Sequence, residues 1–196
     1  MLFRSSRSSF VHELKRDGLD DLALREAANV GFHYNWINRM ADAFDFPLPE
    51  GKGGRRLTRM LDLLARVARG HTVEPVWTRG ADGHVRPTEV HRGRERILTT
   101  DGVTDPELRL AIDAHVAALR GQERARSRRV PAELEGYLSK LALHAYQIMD
   151  EDVDALRTAG HGDEWIYEVT HVGAFGAAIV GLERLFDSLY GRDSAA

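Results

Sequence analysis

Apolar residues recur every three or four positions along most of this chain. From Leu22 to Phe44, the residues Val30, Tyr34, Ile37, Ala41 and Phe44 step along one side of a helix, and Asn35, Asn38 and Asp42 gather on the other. Pro47 and Pro49 end that element. The spacing of Leu57, Met60, Leu61, Leu64 and Val67 predicts a second helix over 56–69, stopped by Gly70. Asp105-Pro106 is a cap followed by proline at the first helical position, and opens a helix through Leu108, Ile112, His115, Val116 and Leu119 to Gly121. Helices are further predicted from Val130-Pro131 to Tyr146, from Asp150 to Ala159 with Gly160 as the stop, and from Asp163 to Tyr190. The last carries Val169, Val172, Gly176, Ile179, Leu182, Phe186 and Leu189 on one face, and its glycines and alanines permit close helix approach. The pattern breaks between 70 and 104. There Gly70, Gly80, Gly83, Gly93 and Gly102 punctuate an Arg- and His-rich stretch without sustained alternation, which reads as a long loop or hairpin with Thr72–Trp77 as a candidate strand. The expected fold class is all-α, as a single domain over 1–196.

A shift of 142 positions superimposes residues 11–45 on 153–187 without a gap and yields ten identities in 35 positions. Val11, Leu14, Gly18, Asp21, Glu26, Val30, Gly31, Ile37, Phe44 and Asp45 meet Val153, Leu156, Gly160, Asp163, Glu168, Val172, Gly173, Ile179, Phe186 and Asp187. Both copies read as short helix, glycine turn, aspartate and long helix. Two capped amphipathic helices share some of this pattern by construction, but here turn, cap and core positions all keep register.

Composition narrows the chemistry. The 196 residues include no cysteine, which removes disulfides, thiolate metal sites, a Cys nucleophile and any dithiol redox centre. A formal net charge of -3 gives no electrostatic case for nucleic acid as a partner. No His-Glu-x-x-His pair or comparable spacing points to a metal, and no glycine-rich phosphate cradle to a nucleotide cofactor, so neither is expected. The start of the chain lacks the apolar run of a signal peptide. The least polar stretch, Ala174–Leu182, is about half of the roughly 20 residues that span a bilayer. A soluble, cytoplasmic protein with no membrane partner is therefore expected.

The segment Val153-Asp-Ala-Leu-Arg-Thr-Ala-Gly-His-Gly-Asp-Glu-Trp-Ile-Tyr-Glu168 resembles the closing segment of the carboxymuconolactone decarboxylase and alkylhydroperoxidase D-like superfamily. Asn35-Trp-Ile-Asn-Arg-Met-Ala-Asp-Ala-Phe44 is similar to the "Asn-x-x-Asn-Arg-x-Ala-Asp" helix of that group. The resemblance covers 11–46 and roughly 130–190. It implies an all-α fold that assembles into homo-oligomers or with a related subunit. It also implies either dithiol peroxidase chemistry or acid–base chemistry on a small lactone acid. The first is excluded in this chain: Tyr137-x-x-Lys140-x-x-x-His144 keeps the Cys-x-x-Cys-x-x-x-His spacing without either cysteine, and Ala125 stands where the upstream Glu belongs.

Histidines and carboxylates remain. His144, in the apolar run Leu141–Tyr146, is a candidate general base whose pKa burial would lower, with Lys140 and Tyr137 nearby to hold a substrate carboxylate. A core histidine bonded to a backbone carbonyl is the alternative. Glu168 and His171, three apart on the last helix, can meet as a second proton-handling pair. Glu168 is also explained by the helix dipole alone. Arg39, His33 and Asn35 concentrate polar groups on the first long helix, either for substrate binding or for a network between helices. The run Arg124–Arg129 reads as a solvated linker. Two expectations follow: a non-redox lyase or isomerase acting on a small organic acid, or a non-catalytic assembly or ligand-binding subunit.

Overall fold

The computed structural model describes residue 13, residues 16–44, 76–81 and 83–122, Arg124, and residues 129–190. The expected helix over 56–69 and residues 72–75 of the candidate strand lie outside the described residues. The described elements are α1 (Asp21–Ala43), β1 (Trp77–Arg79), β2 (Val85–Pro87), α2 (Thr88–Thr99), α3 (Pro106–Leu119), α4 (Ala132–Leu143), a 3-10 turn (Ala145–Gln147), α5 (Asp150–Thr158) and α6 (Asp163–Tyr190). The fold is all-α, with one antiparallel pair in which Thr78 faces Arg86.

Local chemistry sets the boundaries. The Asp105 side chain accepts from Glu107 N at 2.9 Å and Pro106 starts α3. Asp20 caps α1 through Ala23 N at 2.8 Å. Gly18 and Gly160, equivalent in the repeat, both sit at positive φ, 94° and 96°, where a side chain would be strained. Asp21 and Asp163 then open the two long helices.

The central element is α6, buried along most of its length and packed by α1, α3, α4, α5, α2 and β2. One apolar cluster joins α3, α4 and α5 to the N-terminal half of α6 through Ile112, Leu134, Leu138, Leu141, Leu156 and Val169. A second joins α1, the hairpin and α2 to its C-terminal half through Phe32, Trp77, Val90, Phe175, Ile179 and Phe186. At Gly173 a Cβ would meet the Leu141 side chain at 2.8 Å, so the missing side chain lets α4 approach. By length and composition α6 could cross a membrane, with a mean hydropathy of 1.3, yet 72% of that apolar window is buried within the fold.

The structure corrects three expectations. The face of α1 expected to be buried is turned outward: Val30 is 65%, Tyr34 68% and Ile37 58% exposed. Leu24, Ala28, Phe32, Met40 and Ala43 face the core instead. Apolar residues lie on both sides of this helix, and packing against α6 selects the side carrying Phe32 and Met40. The stretch read as a long loop or hairpin through 104 does contain a hairpin, but also the whole of α2, which was not expected and whose Gly93 lets the Phe175 ring approach (a Cβ would lie 3.2 Å from it). Arg124 is no solvated linker residue, since its side chain is 9% exposed.

Arg124 belongs to a buried ionic network holding β2, α2, α3 and α6 together. On α6, Glu183 Oε1 accepts from both Nε and Nη2 of Arg86, and Glu183 Oε2 accepts from Gln122 Nε2 at 2.6 Å and from Arg124 at 3.2 Å. Asp113 on α3 accepts from Arg94 at 2.6 Å and from Arg124 at 2.7 Å. Although burial opposes it, the Asp113 and Glu183 carboxylates raise the Arg124 pKa above its ordinary value. Arg86 and Glu183 are each 1% exposed, so this pairing is what makes their burial tolerable.

Candidate functional site

A cavity of about 590 Å³ opens between α1, α2, α3 and α6. Phe32, His33 and Trp36 enter it from α1; Glu89, Gly93 and Arg96 from α2. Asp101 follows α2, Arg109 comes from α3, and Glu168, His171 and Phe175 come from α6. The i, i+3 and i, i+4 steps 33/36, 168/171 and 171/175 are the reason so few turns of helix supply so many groups.

Glu168 is fixed from two directions. Its Oε1 accepts from Arg109 Nη1 at 3.0 Å and its Oε2 from the backbone N–H of Thr104 at 2.7 Å. The Thr104 bond depends on Gly102, where any Cβ would overlap the Glu168 carboxylate. Arg109 is 2% exposed, and its Nε and Nη2 have no hydrogen-bond acceptor among the described residues. Next to this pair, the His171 imidazole stacks on Trp36, with centroids 5.3 Å apart and planes 10° apart, and meets Phe175 edge-on at 6.5 Å. Burial pushes the His171 pKa below 6.5, with the Glu168 carboxylate pulling weakly the other way. His171 is thus held neutral at pH 7, with Nε2 buried and without a partner among the described residues. The Trp36 Nε1–H is in the same condition.

Of the residues expected to carry chemistry, Glu168, His171 and His33 come together at this cavity. The His33 Nδ1–H donates to Asn29 O at 2.9 Å, which fixes its tautomer. The others sit elsewhere. His144 follows the last residue of α4 and is exposed, its ring edge-on to Tyr146 at 6.2 Å; the expectation of a buried base is corrected because the helix ends one residue too early to enclose it. Lys140 grips both oxygens of Asp152 at 2.6 and 2.8 Å, and Asp152 also accepts from Met149 N at 2.9 Å, so the lysine braces the start of α5. Partial desolvation opposes the effect, but these bonds lower the Asp152 pKa below the usual carboxylate range.

Tyr137 is buried, and burial pushes its pKa up to about 12. Its O–H donates to Thr170 Oγ1 at 2.6 Å, which in turn donates to Ile166 O at 2.7 Å. This is a core contact. Tyr137→Phe is expected to lower stability by about 1 kcal/mol, measured by urea denaturation, and to leave the cavity unchanged. Arg39 and Asn35 form the alternative network: Arg39 bonds the Asn35 side chain and donates to Ala142 O at 3.2 Å, where Arg120 also donates at 2.7 Å. Two guanidinium groups thus meet the carbonyl end of α4, a favourable place for positive charge. Burial, and secondarily the Arg120 charge, lowers the Arg39 pKa to about 10.

Arg109 was missed in the sequence, although a charged residue inside the apolar run Leu108–Ile112, four positions before Asp113, signals a buried ionic role. Trp36 read only as a helix residue. Among the described residues no three His, Asp or Glu side chains gather as metal ligands. Comparison with known proteins finds no matching family model, no matching curated protein and no matching solved structure.

Proposed function

We propose that this chain is a cysteine-free, carboxymuconolactone decarboxylase-like protein that performs acid–base chemistry on a small organic acid in the cytoplasm. Decarboxylation, isomerisation and lactone turnover are the reactions this covers. The observation that carries the reading is His171: a neutral, half-buried imidazole on the wall of an open cavity, beside a fixed Arg109–Glu168 pair. Such a group is suited to accept a proton from a bound acid near neutral pH. Glu168, with both oxygens already bonded, acts as an electrostatic partner that stabilises the imidazolium once formed. Arg109 supplies positive charge where a substrate anion gathers. Further support comes from the internal sequence repeat, whose two copies resemble segments of the group. The test is turnover of a panel of lactone and unsaturated acids: His171→Gln abolishes it and His144→Ala leaves it intact. Loss of turnover in His144→Ala alone overturns the assignment.

A second reading, an association role, rests on the outward stripe of α1. Val30 and Ile37 are 65% and 58% exposed, whereas their repeat equivalents Val172 and Ile179 are 2% and 0% exposed. Gly31 has open space where Gly173 is pressed against Leu141. A face that is covered in one copy of the repeat and open in the other fits a second copy of this chain, through an isologous contact between α1 helices. Light scattering after gel filtration is expected to give a dimer for the native protein and a monomer for Val30→Glu/Ile37→Glu. A monomeric native protein at high concentration contradicts it.

A further inference from the structure

Buried polar side-chain atoms without a hydrogen-bond partner among the described residues occur at several places, Arg39 Nε and Arg120 Nε among them, but four belong to three side chains that line one cavity. Arg109 Nε and Nη2, the Trp36 Nε1–H and His171 Nε2 all lack partners among the described residues, are buried, and belong to side chains lining the same cavity. A native interior rarely leaves several such groups together, and a concentration of them at a cavity marks a place where a ligand supplies what the protein does not. The arginine and tryptophan groups are donors only, so the missing partner is an acceptor. The body of the ligand is specified by the walls. Phe32 and Phe175 meet edge to face at 5.2 Å, Trp36 and Phe175 likewise at 5.2 Å, and His171 lies flat on Trp36. That lining is flat-sided and apolar, the kind that favours a planar unsaturated body over a puckered one.

Charge at the mouth is mixed. Glu89 and Asp101 are exposed carboxylates there, and Arg96 is an exposed cation with no ion pair among the described residues. Water screens these groups, whereas Arg109 is 2% exposed and acts at short range in a medium of low polarity. Glu168 already balances the Arg109 charge, so the ligand is selected by the donors that Arg109 Nε and Nη2 and Trp36 Nε1 leave unused, which call for an acceptor, and not by the mouth.

We infer that the cavity between α1, α2, α3 and α6 binds a planar, unsaturated or aromatic monocarboxylate. Its carboxylate lies toward Arg109 and Trp36, and its flat body lies against the Phe32, Phe175 and His171 rings. The inference rests on the cavity being the working site proposed above, and names the class of acid it takes.

Titration calorimetry on the full chain tests it with four probes of similar size: benzoate, cyclohexanecarboxylate, benzyl alcohol and benzylamine. Benzoate is expected to bind saturably and about 3- to 10-fold more tightly than cyclohexanecarboxylate, the size of an aromatic contact or two. It is expected to exceed benzyl alcohol by about 10-fold or more, because only the carboxylate forms charge-assisted bonds. Arg96→Gln weakens benzoate by roughly 2- to 5-fold, as a screened charge does. Arg109→Lys, which keeps the charge and loses the fork, weakens it by about 10-fold or more. If Arg109→Lys proves poorly folded by circular dichroism, the Arg96 variant and the four-probe ranking carry the test. Lys140→Gln, outside the cavity, leaves binding unchanged. Tighter binding of benzylamine, equal binding of benzoate and cyclohexanecarboxylate, or no saturable binding overturns the inference. Benzoate binding without turnover of any acid leaves it standing and defeats the proposed function. Turnover of a non-planar acid with no benzoate binding does the reverse.

Discussion

Glu183→Gln is expected to lower the stability of the protein by about 3–5 kcal/mol, the usual consequence of removing one partner from a buried charge pair. Glu183 is 1% exposed and answers the positive charge of Arg86, itself 1% exposed, and part of that of Arg124. Without the carboxylate, Arg86 is left in the interior beside a neutral amide. For a chain of this size the melting temperature should fall by roughly 10 °C, followed by circular dichroism at neutral pH. Arg124 retains Asp113 at 2.7 Å, so the damage centres on Arg86. This predicts the sign of a double-substitution cycle. Glu183→Leu combined with Arg86→Met should be distinctly more stable than Glu183→Leu alone, because the stranded charge is gone and an apolar side chain fills its place. If Glu183→Gln melts within a degree or two of the native protein, the network is not the clasp between α6, β2 and α3 described above.

His171→Gln is expected to reduce turnover of a small organic acid by about 10²–10⁴-fold while changing KM little, since glutamine fills the same space but takes no proton. The native pH profile follows from the direction of the shift. Burial depresses the His171 pKa below 6.5, so the imidazole is the free base at pH 7, and the rate should fall only at pH values below 6.5. Stability has the same window. In the unfolded chain the group protonates near 6.5, whereas in the folded protein it resists, so acidification favours the unfolded state. The contribution is fully present above 6.5 and is lost as the pH falls through the depressed folded value. Urea midpoints of His171→Gln should therefore depend less on pH between neutrality and mild acid than those of the native chain. His144→Ala, at an exposed helix end, should alter neither the rate nor this slope.

Elements carrying their own punctuation were legible in the sequence. Asp105-Pro106 opens α3, Gly160 closes the turn after α5, and α6 runs over Asp163–Tyr190 as its spacing predicts. The orientation of α1 was not legible, because apolar residues occupy both of its sides and the choice is made by α6, more than a hundred residues later in the chain. α2 was hidden for a related reason. Few of its residues are apolar, and what holds Arg94 is Asp113 on another helix. At the site, Glu168 and His171 could be paired by their three-residue spacing. Arg109 joins them across 59 positions, a relation no local pattern carries. His144 misled because an apolar run implies burial only while the helix continues, and α4 stops at Leu143.

The central claim is that the chemistry belongs to the cavity walled by α1, α2, α3 and α6. Its most direct test is a histidine side-chain NMR titration of the full chain, with and without a saturating small carboxylic acid. The account predicts that His171 titrates below 6.5 in the free protein. It further predicts that the acid shifts the resonances of His171 and His33 and leaves those of His144 in place. Acid-induced shifts confined to His144, with His171 silent, would contradict it.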